Sequence, residues 1–223
     1  MITILSIETA TKNCSVSLSV TGEVIACKEI AEENFSHAEK LHVFIEELLK
    51  ENNKTLKDLS AIAISQGPGS YTGLRIGVSS VKGLCYGLSI PLIALDTLEI
   101  LARQIKVDQG YIVPMLDARR MEVFSVLFDK DYVRQGDIEA IVIDENSFSK
   151  HADRTLHLIG DGAMKCQEVL SGDNFVYYPE VTYPSAREMG EIAYQKYLKE
   201  DFVDVAYFEP FYLKDFVLIQ KKK

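Results

Sequence analysis

The chain has 223 residues, 47% of them hydrophobic, and a net charge of −9. That length gives one large domain or two small lobes, with enough apolar residues for a real core. The acidic balance argues against a protein that grips nucleic acid alone, because phosphate neutralisation needs clustered Lys and Arg.

Lys221-Lys222-Lys223 is the one basic run and reads as a tail. No stretch reaches about 18 apolar residues, so nothing is expected to span a membrane. The start has no basic leader, and Glu8 interrupts its apolar run. Cys14, Cys27, Cys85 and Cys166 form no C-x-x-C pair and sit among apolar residues. They read as buried free thiols of a reducing compartment, and a cytoplasmic location is expected.

In chain order, Ile2–Ile7 reads as a buried strand. Cys14, Val16, Leu18 and Val20 alternate with Ser15, Ser17 and Ser19, the pattern of a half-exposed strand. Gly22-Glu23 turns into a third strand, Val24–Ile30, which predicts an antiparallel meander. Ser36 with Glu39 forms a capping box. It opens a helix with Ala38, Leu41, Phe44, Ile45, Leu48 and Leu49 on one face, and Glu39, Glu46, Glu47 and Lys50 on the other. Thr55 and Asp58 cap a single turn, and Ala61–Ile64 is a short strand ended by Gly67-Pro68-Gly69.

The helix after that turn should run to Leu88 with Ser70 or Thr72 as its cap. Leu74, Val78, Val81, Cys85 and Leu88 form its core stripe. Gly73, Ile76, Ser80, Gly83 and Gly87 lie opposite, where a solvated helix should carry charge. Each glycine costs about 1 kcal/mol against alanine there, so both faces are expected to be covered. Arg75 and Lys82 mark the solvent side. The turn also admits an anion site built on Gly67, Gly69, Ser70 and Thr72, although no P-loop or G-x-G-x-x-G is present. A strand at Leu92–Leu95 and a helix from Thr97 through Ile105 follow.

The order β-β-β-α-β-α-β-α is that of one lobe of the ribonuclease-H-like group, which includes the actin/hexokinase-type ATPases. The second half is less regular. Strands are read at Ile112–Leu116, Val123–Phe128, Ala140–Ile143 and Leu156–Ile159. Gly160-Asp161-Gly162 breaks into a short helix through Leu170, and a Ser185/Glu188 capping box opens a helix to Lys199. The expectation is an α/β protein of two lobes, residues 1–104 and 105–223, each a mixed sheet with flanking helices. The aromatic tail Tyr207–Leu213 is expected to pack back on the first lobe.

Glu8, Asp96 and Asp117 stand at strand ends. In a nuclease of this fold they would hold divalent cations; the favoured reading is that they cap turns and helices. His37 and His42 are about 140° apart around their helix and cannot share a metal. His37 is read as solvated and His42 as lying at the edge of the buried face. The phosphate-loop positions of an actin-type ATPase read Glu8-Thr9-Ala10-Thr11 and Asp117-Ala118-Arg119, both without glycine. The nucleotide site therefore looks degraded, and no cofactor is expected.

Several segments together resemble the TsaB (YeaZ) family: Ser6–Thr11, Ser36–Leu41, the run Gly-Pro-Gly-Ser-Tyr-Thr-Gly-Leu-Arg-Ile-Gly at 67–77, Pro91-Leu92-Ile93, Asp117–Arg119 with Glu122-Val123, and Gly160-Asp161-Gly162. The resemblance implies a paralogue of TsaD, the subunit that transfers a threonylcarbamoyl group to the tRNA adenosine beside the anticodon. TsaD carries Asn-His-x-x-x-His where this chain has Asp96–Leu101, so Thr97 and Leu101 stand in place of two metal-binding histidines. The implied role is a non-catalytic scaffold without metal. It pairs with a TsaD-like subunit through its first two helices, with a TsaE-like ATPase joining, and touches tRNA only indirectly. The interface expected from this is Gly73, Ile76, Ser80, Gly83 and Gly87 with His37, Lys40 and Phe44. Self-pairing through the same face is expected until the partner arrives. The alternative is an active ATP-dependent transferase or glycoprotease-like peptidase of the same fold.

Overall fold

The computed structural model describes residues 1–32 and 37–214. Ser36, the expected helix cap, and the Lys221–Lys223 run lie outside them. The first sheet contains β1 (Thr3–Glu8), β2 (Asn13–Val20), β3 (Glu23–Ala31), β4 (Ala61–Ser65) and β5 (Leu92–Leu95), in the spatial order β3-β2-β1-β4-β5. The meander β1–β3 is antiparallel, and β4 and β5 are parallel to β1. The second sheet contains β6 (Tyr111–Asp117), β7 (Glu122–Phe128), β8 (Arg134–Val142), β9 (Leu156–Ile159) and β10 (Phe175–Tyr177). Its order, β8-β7-β6-β9-β10, and its pairing senses repeat those of the first. The two-lobed, ribonuclease-H-like architecture of the actin/hexokinase type is thus a duplication in topology, though no repeat is visible in the residues.

Helices α1 (His37–Glu51) and α2 (Tyr71–Leu88) cover one face of the first sheet. Leu41, Ile45, Leu48 and Leu49 from α1, with Val78, Val81 and Cys85 from α2, pack on Leu5, Ile7, Val16, Leu18, Ile62 and Ile64. Ala38 is exposed rather than buried. The other face is covered by α4 (Met189–Leu198), which returns from the far half of the chain to place Met189, Ile192 and Ala193 on Ile4, Ala63 and Ile93. That return explains a departure from the sequence pattern. Ser15, Ser17 and Ser19 of β2 are fully buried, because residues 185–186 lie over the first two and Gly190 of α4 lies over the third. Ser17 Oγ donates to Ala186 O (2.6 Å), and Ser15 Oγ accepts from Ala186 N (3.0 Å). A buried hydroxyl without such a partner would cost several kcal/mol, on the order of 2–7.

Helix α3 (Thr97–Ala102) packs Leu98, Leu101 and Ala102 on Ile112, Phe124 and Phe128 of the second sheet. It is shorter than expected, and its cap is Asp96, whose carboxylate accepts from Leu98 N (2.8 Å) and Glu99 N (3.4 Å). Thr55 and Asp58 close their single turn, with Asp58 Oδ2 accepting from Thr55 N (2.7 Å). Strand β8 begins earlier than its apolar residues indicate, and β10 has no counterpart in the sequence expectations. Only a 3-10 turn, Met164–Cys166, forms after Gly162. The Ser185/Glu188 box is half made: Ser185 Oγ accepts from Arg187 N, but Glu188 Oε2 has no partner among the described residues. Cys14, Cys85 and Cys166 are buried free thiols, and Cys27 is half-buried.

Candidate functional site

Helix α2 and the turn before it organise the candidate site. Ser70 caps the helix, its Oγ accepting from Gly73 N at 3.3 Å. The turn is closed from within. Ser70 N donates to Ala10 O (2.6 Å), Gly67 N donates to Thr97 Oγ1 (3.1 Å), and Thr97 N donates to Gly67 O (3.1 Å). A Cβ on Gly69 would stand 2.3 Å from Ala10 O, and one on Gly67 2.5 Å from Phe211 O. An anion needs free N–H groups turned toward it. Here Gly67 N, Ser70 N and Gly73 N are engaged and two carbonyl oxygens press on the glycines, so close backbone approach accounts for Gly67 and Gly69 of the expected anion site (Gly67, Gly69, Ser70 and Thr72) without an anion. Thr72 itself is exposed.

The small-residue stripe divides into two parts. Gly73 is buried: a Cβ there would lie 2.1 Å from Thr9 O, and Thr9 Oγ1 donates to Gly73 O (2.9 Å). It lets α2 pass under the β1–β2 turn and faces no outside surface. Ile76 and Ser80 are half-buried toward α1, with Ser80 Oγ 3.4 Å from His42 Nε2. Gly83 and Gly87 are exposed, and a Cβ on either would meet nothing within 4 Å. Tyr86 beside them is 85% exposed.

On α1, His37 is fully buried instead of solvated. Its Nε2 lies 2.7 Å from Thr11 O, and since a carbonyl only accepts, Nε2 carries the hydrogen. Burial pushes its pKa below the ordinary histidine value. His37 thus holds the β1–β2 turn and is withdrawn from the expected interface. Lys40 and Phe44 are half-buried, Phe44 against the core beneath both helices, while His42 and Val43 are exposed. Arg75 is exposed and stacks over the Tyr71 ring at 4.3 Å. Lys82, read as a solvent marker, instead donates to Ala206 O (3.0 Å) and Phe208 O (2.9 Å) of the C-terminal segment, a role no sequence pattern signals.

The three carboxylates cap local structure. Buried Glu8 accepts from Ala10 N; burial pushes its pKa up to about 7, against the lowering effect of that bond and of the Ser65 hydroxyl. Asp96 caps α3, is pushed up to about 6 by burial, and lies 3.5 Å from Arg134. Asp117 accepts from Arg119 N (2.8 Å) and pairs with Lys165. Asp117 N in turn donates to Asp161 (2.8 Å), a contact the sequence did not suggest. Among the described residues no three His, Cys, Asp or Glu side chains converge as a metal site requires. Thr97 and Leu101 are fully buried, Thr97 Oγ1 accepting from Gly67 N and Leu101 lying within the apolar cluster under α3. No helix among the described residues is long and apolar enough to cross a membrane.

Residues 29–165 match the family of TsaD, tRNA N6-adenosine threonylcarbamoyltransferase. The tRNA threonylcarbamoyladenosine biosynthesis protein TsaB of Escherichia coli K12 is 30% identical over 98% of this chain and 97% of its own length. The protein of that name from Haemophilus influenzae is 27% identical over 99% and 97%. The solved structure of YeaZ from Pseudomonas aeruginosa superposes with a TM-score of 0.83 at 24% identity, covering 96% of this chain and all of that one, a likeness of fold. Identity at this level over nearly the whole of both chains, together with the match to TsaD across more than half of this one, places the protein in the TsaB (YeaZ) family.

Proposed function

We propose that this chain is a non-catalytic scaffold subunit for threonylcarbamoyl transfer to the tRNA adenosine next to the anticodon, acting in the cytoplasm. It pairs with a TsaD-like subunit that carries the chemistry, and a TsaE-like ATPase joins the pair. The names of its relatives support the pathway. The observation that carries the non-catalytic reading is the state of Thr97 and Leu101. Both positions are spent on the fold, one bonded to Gly67 N and one packed among apolar side chains. Leucine has no lone pair to offer a metal, and this threonine oxygen is already an acceptor.

The docking face is the outer strip of α2, namely Ile76, Ser80, Gly83 and Gly87, with Lys40 and Phe44 of α1. Small uncharged side chains there let a second backbone approach closely, and self-pairing uses the same strip in the absence of the partner. The tRNA is bound chiefly by the partner. The test is reconstitution with the TsaD-like and TsaE-like subunits of the same cell. Transfer should need this chain together with the TsaD-like one, and a stable complex of the two should be isolable. Transfer or peptide cleavage by this chain alone, or a complete set of subunits equally active without it, would overturn the proposal.

A further inference from the structure

The last described segment, residues 203–214, touches both lobes. On the first lobe it is held by backbone bonds: Val203 N donates to Leu92 O (3.0 Å), and Phe211 N donates to Gln66 O (2.7 Å). Lys82 grips the carbonyls of Ala206 and Phe208. Tyr212 stacks on Tyr71 with ring centres 5.0 Å apart, and its hydroxyl accepts from Arg75 Nε (3.2 Å). Phe211 O rests on Gly67. The segment then crosses to the second lobe. Leu213 packs on the cluster that includes Ala118 and Phe124, and Lys214 pairs with Glu122 at the foot of β7, its ammonium 6.0 Å from the Phe124 ring.

The two sheets are otherwise joined by irregular stretches at 103–110 and 178–185, by the helices that cross over each, and by the Asp96–Arg134 ion pair at 3.5 Å. Lobes joined in this way move about their connections unless something else holds them. The segment's grip is unequal. Its attachments to the first lobe are main-chain bonds and a two-pronged lysine. Its attachments to the second lobe are one part-buried leucine and one lysine, which lies 6.0 Å from the Phe124 ring and forms an ion pair whose side chains remain 41% and 21% exposed.

We propose that residues 203–214 form a latch that sets the angle between the lobes. It is anchored on α2 and the Gly67 turn, and it releases at the Leu213–Lys214 end from the β6–β7 hairpin. This inference is independent of the partner's identity, because every contact it uses lies within the chain.

The test is hydrogen exchange by mass spectrometry on the full chain. Lys214→Glu and Glu122→Lys should each speed exchange in peptides covering 211–214 and 117–122, by roughly two- to fivefold for loss of one half-exposed pair. Peptides from α4 and β5 should be unaffected, and the double variant should restore wild-type exchange. A chain ending at Phe208 should show a larger radius of gyration in solution scattering. Single variants that exchange like wild type, or a double variant that does not restore them, would refute the latch. So would a folded truncated chain with the wild-type scattering profile. If the truncated chain does not fold, the charge-swap cycle still decides.

Discussion

Replacing Gly83 with arginine separates the fold from the docking face. The position is exposed, lies inside α2, and has open space where a Cβ would go. In the monomeric chain, at a concentration too low for self-pairing, the only term that changes is helix propensity, which favours arginine over glycine by about 0.5–1 kcal/mol. For a domain of this size that is a rise in melting temperature of roughly 1–4 °C. In a complex built on this strip the guanidinium must fit where a hydrogen fitted. Overpacking costs about 1–3 kcal/mol, and an unpaired buried charge adds to it. At about 1.4 kcal/mol per tenfold, association should weaken by between tenfold and several hundredfold. Two measurements are needed on the same preparation: the melt of the variant alone, and its affinity for the TsaD-like subunit or for itself. An unchanged or raised melt with lost association supports the docking assignment. Unchanged association would show that the strip faces water and remove Gly83 and Gly87 from the interface.

Gly73→Ala should behave in the opposite way, because its Cβ would stand 2.1 Å from Thr9 O. A loss of about 1–3 kcal/mol in denaturant unfolding is expected, and wild-type stability would contradict the packing described. Glu8→Gln tests the buried carboxyl, whose pKa is raised from 4.5 to about 7 in the folded state. The folded protein binds that proton more tightly than the unfolded chain, so the contribution is fully present below about 4.5 and is lost as pH rises through about 7. The variant should therefore gain on the wild type as pH rises, by at most on the order of 3 kcal/mol. The slope is reduced and not abolished, since Glu188 is also pushed up to about 7; identical pH profiles would refute the argument. Elemental analysis of the purified chain should find no stoichiometric iron or zinc, given Thr97 and Leu101 at the expected ligand positions. Calorimetric titration with Mg-ATP should show no site in the low micromolar range, which would be about −8 kcal/mol.

The order of elements in the first lobe was legible because each element carries its own local signal. The stripe Leu74, Val78, Val81 and Cys85 is buried as its spacing requires. The Ser70 cap and the Thr55–Asp58 turn involve residues three apart in the chain. What escaped depends on distant partners. The alternation in β2 reads as one wet face, yet its serines are dry because a segment some 170 residues later lies across them. Lys82 has nothing nearby in sequence to show that it holds the chain's far end. Likewise Thr97 is the natural cap by position, but Asp96 takes that task and frees Thr97 Oγ1 to accept from Gly67 N.

The candidate site shows the same limit more sharply, because one residue type serves opposite purposes along one helix. Gly73 and Gly83 fall on the same stripe and look alike in the sequence. The first is glycine because a carbonyl oxygen of its own chain occupies the space of a side chain. The second faces empty space, so the fold gives no reason for it, and it carries the propensity cost of about 1 kcal/mol without return in the isolated chain. The proposed docking face supplies a reason for that glycine: a partner's backbone would fill the space a side chain would otherwise take. Ile76 and Ser80, half-buried against α1, mark where the stripe passes from one role to the other. Helical periodicity assigns residues to a face, but it cannot say whether that face meets the protein's own backbone or a partner's. Only the distances from each missing Cβ divide the stripe, and they place the outward part in the last two turns of α2.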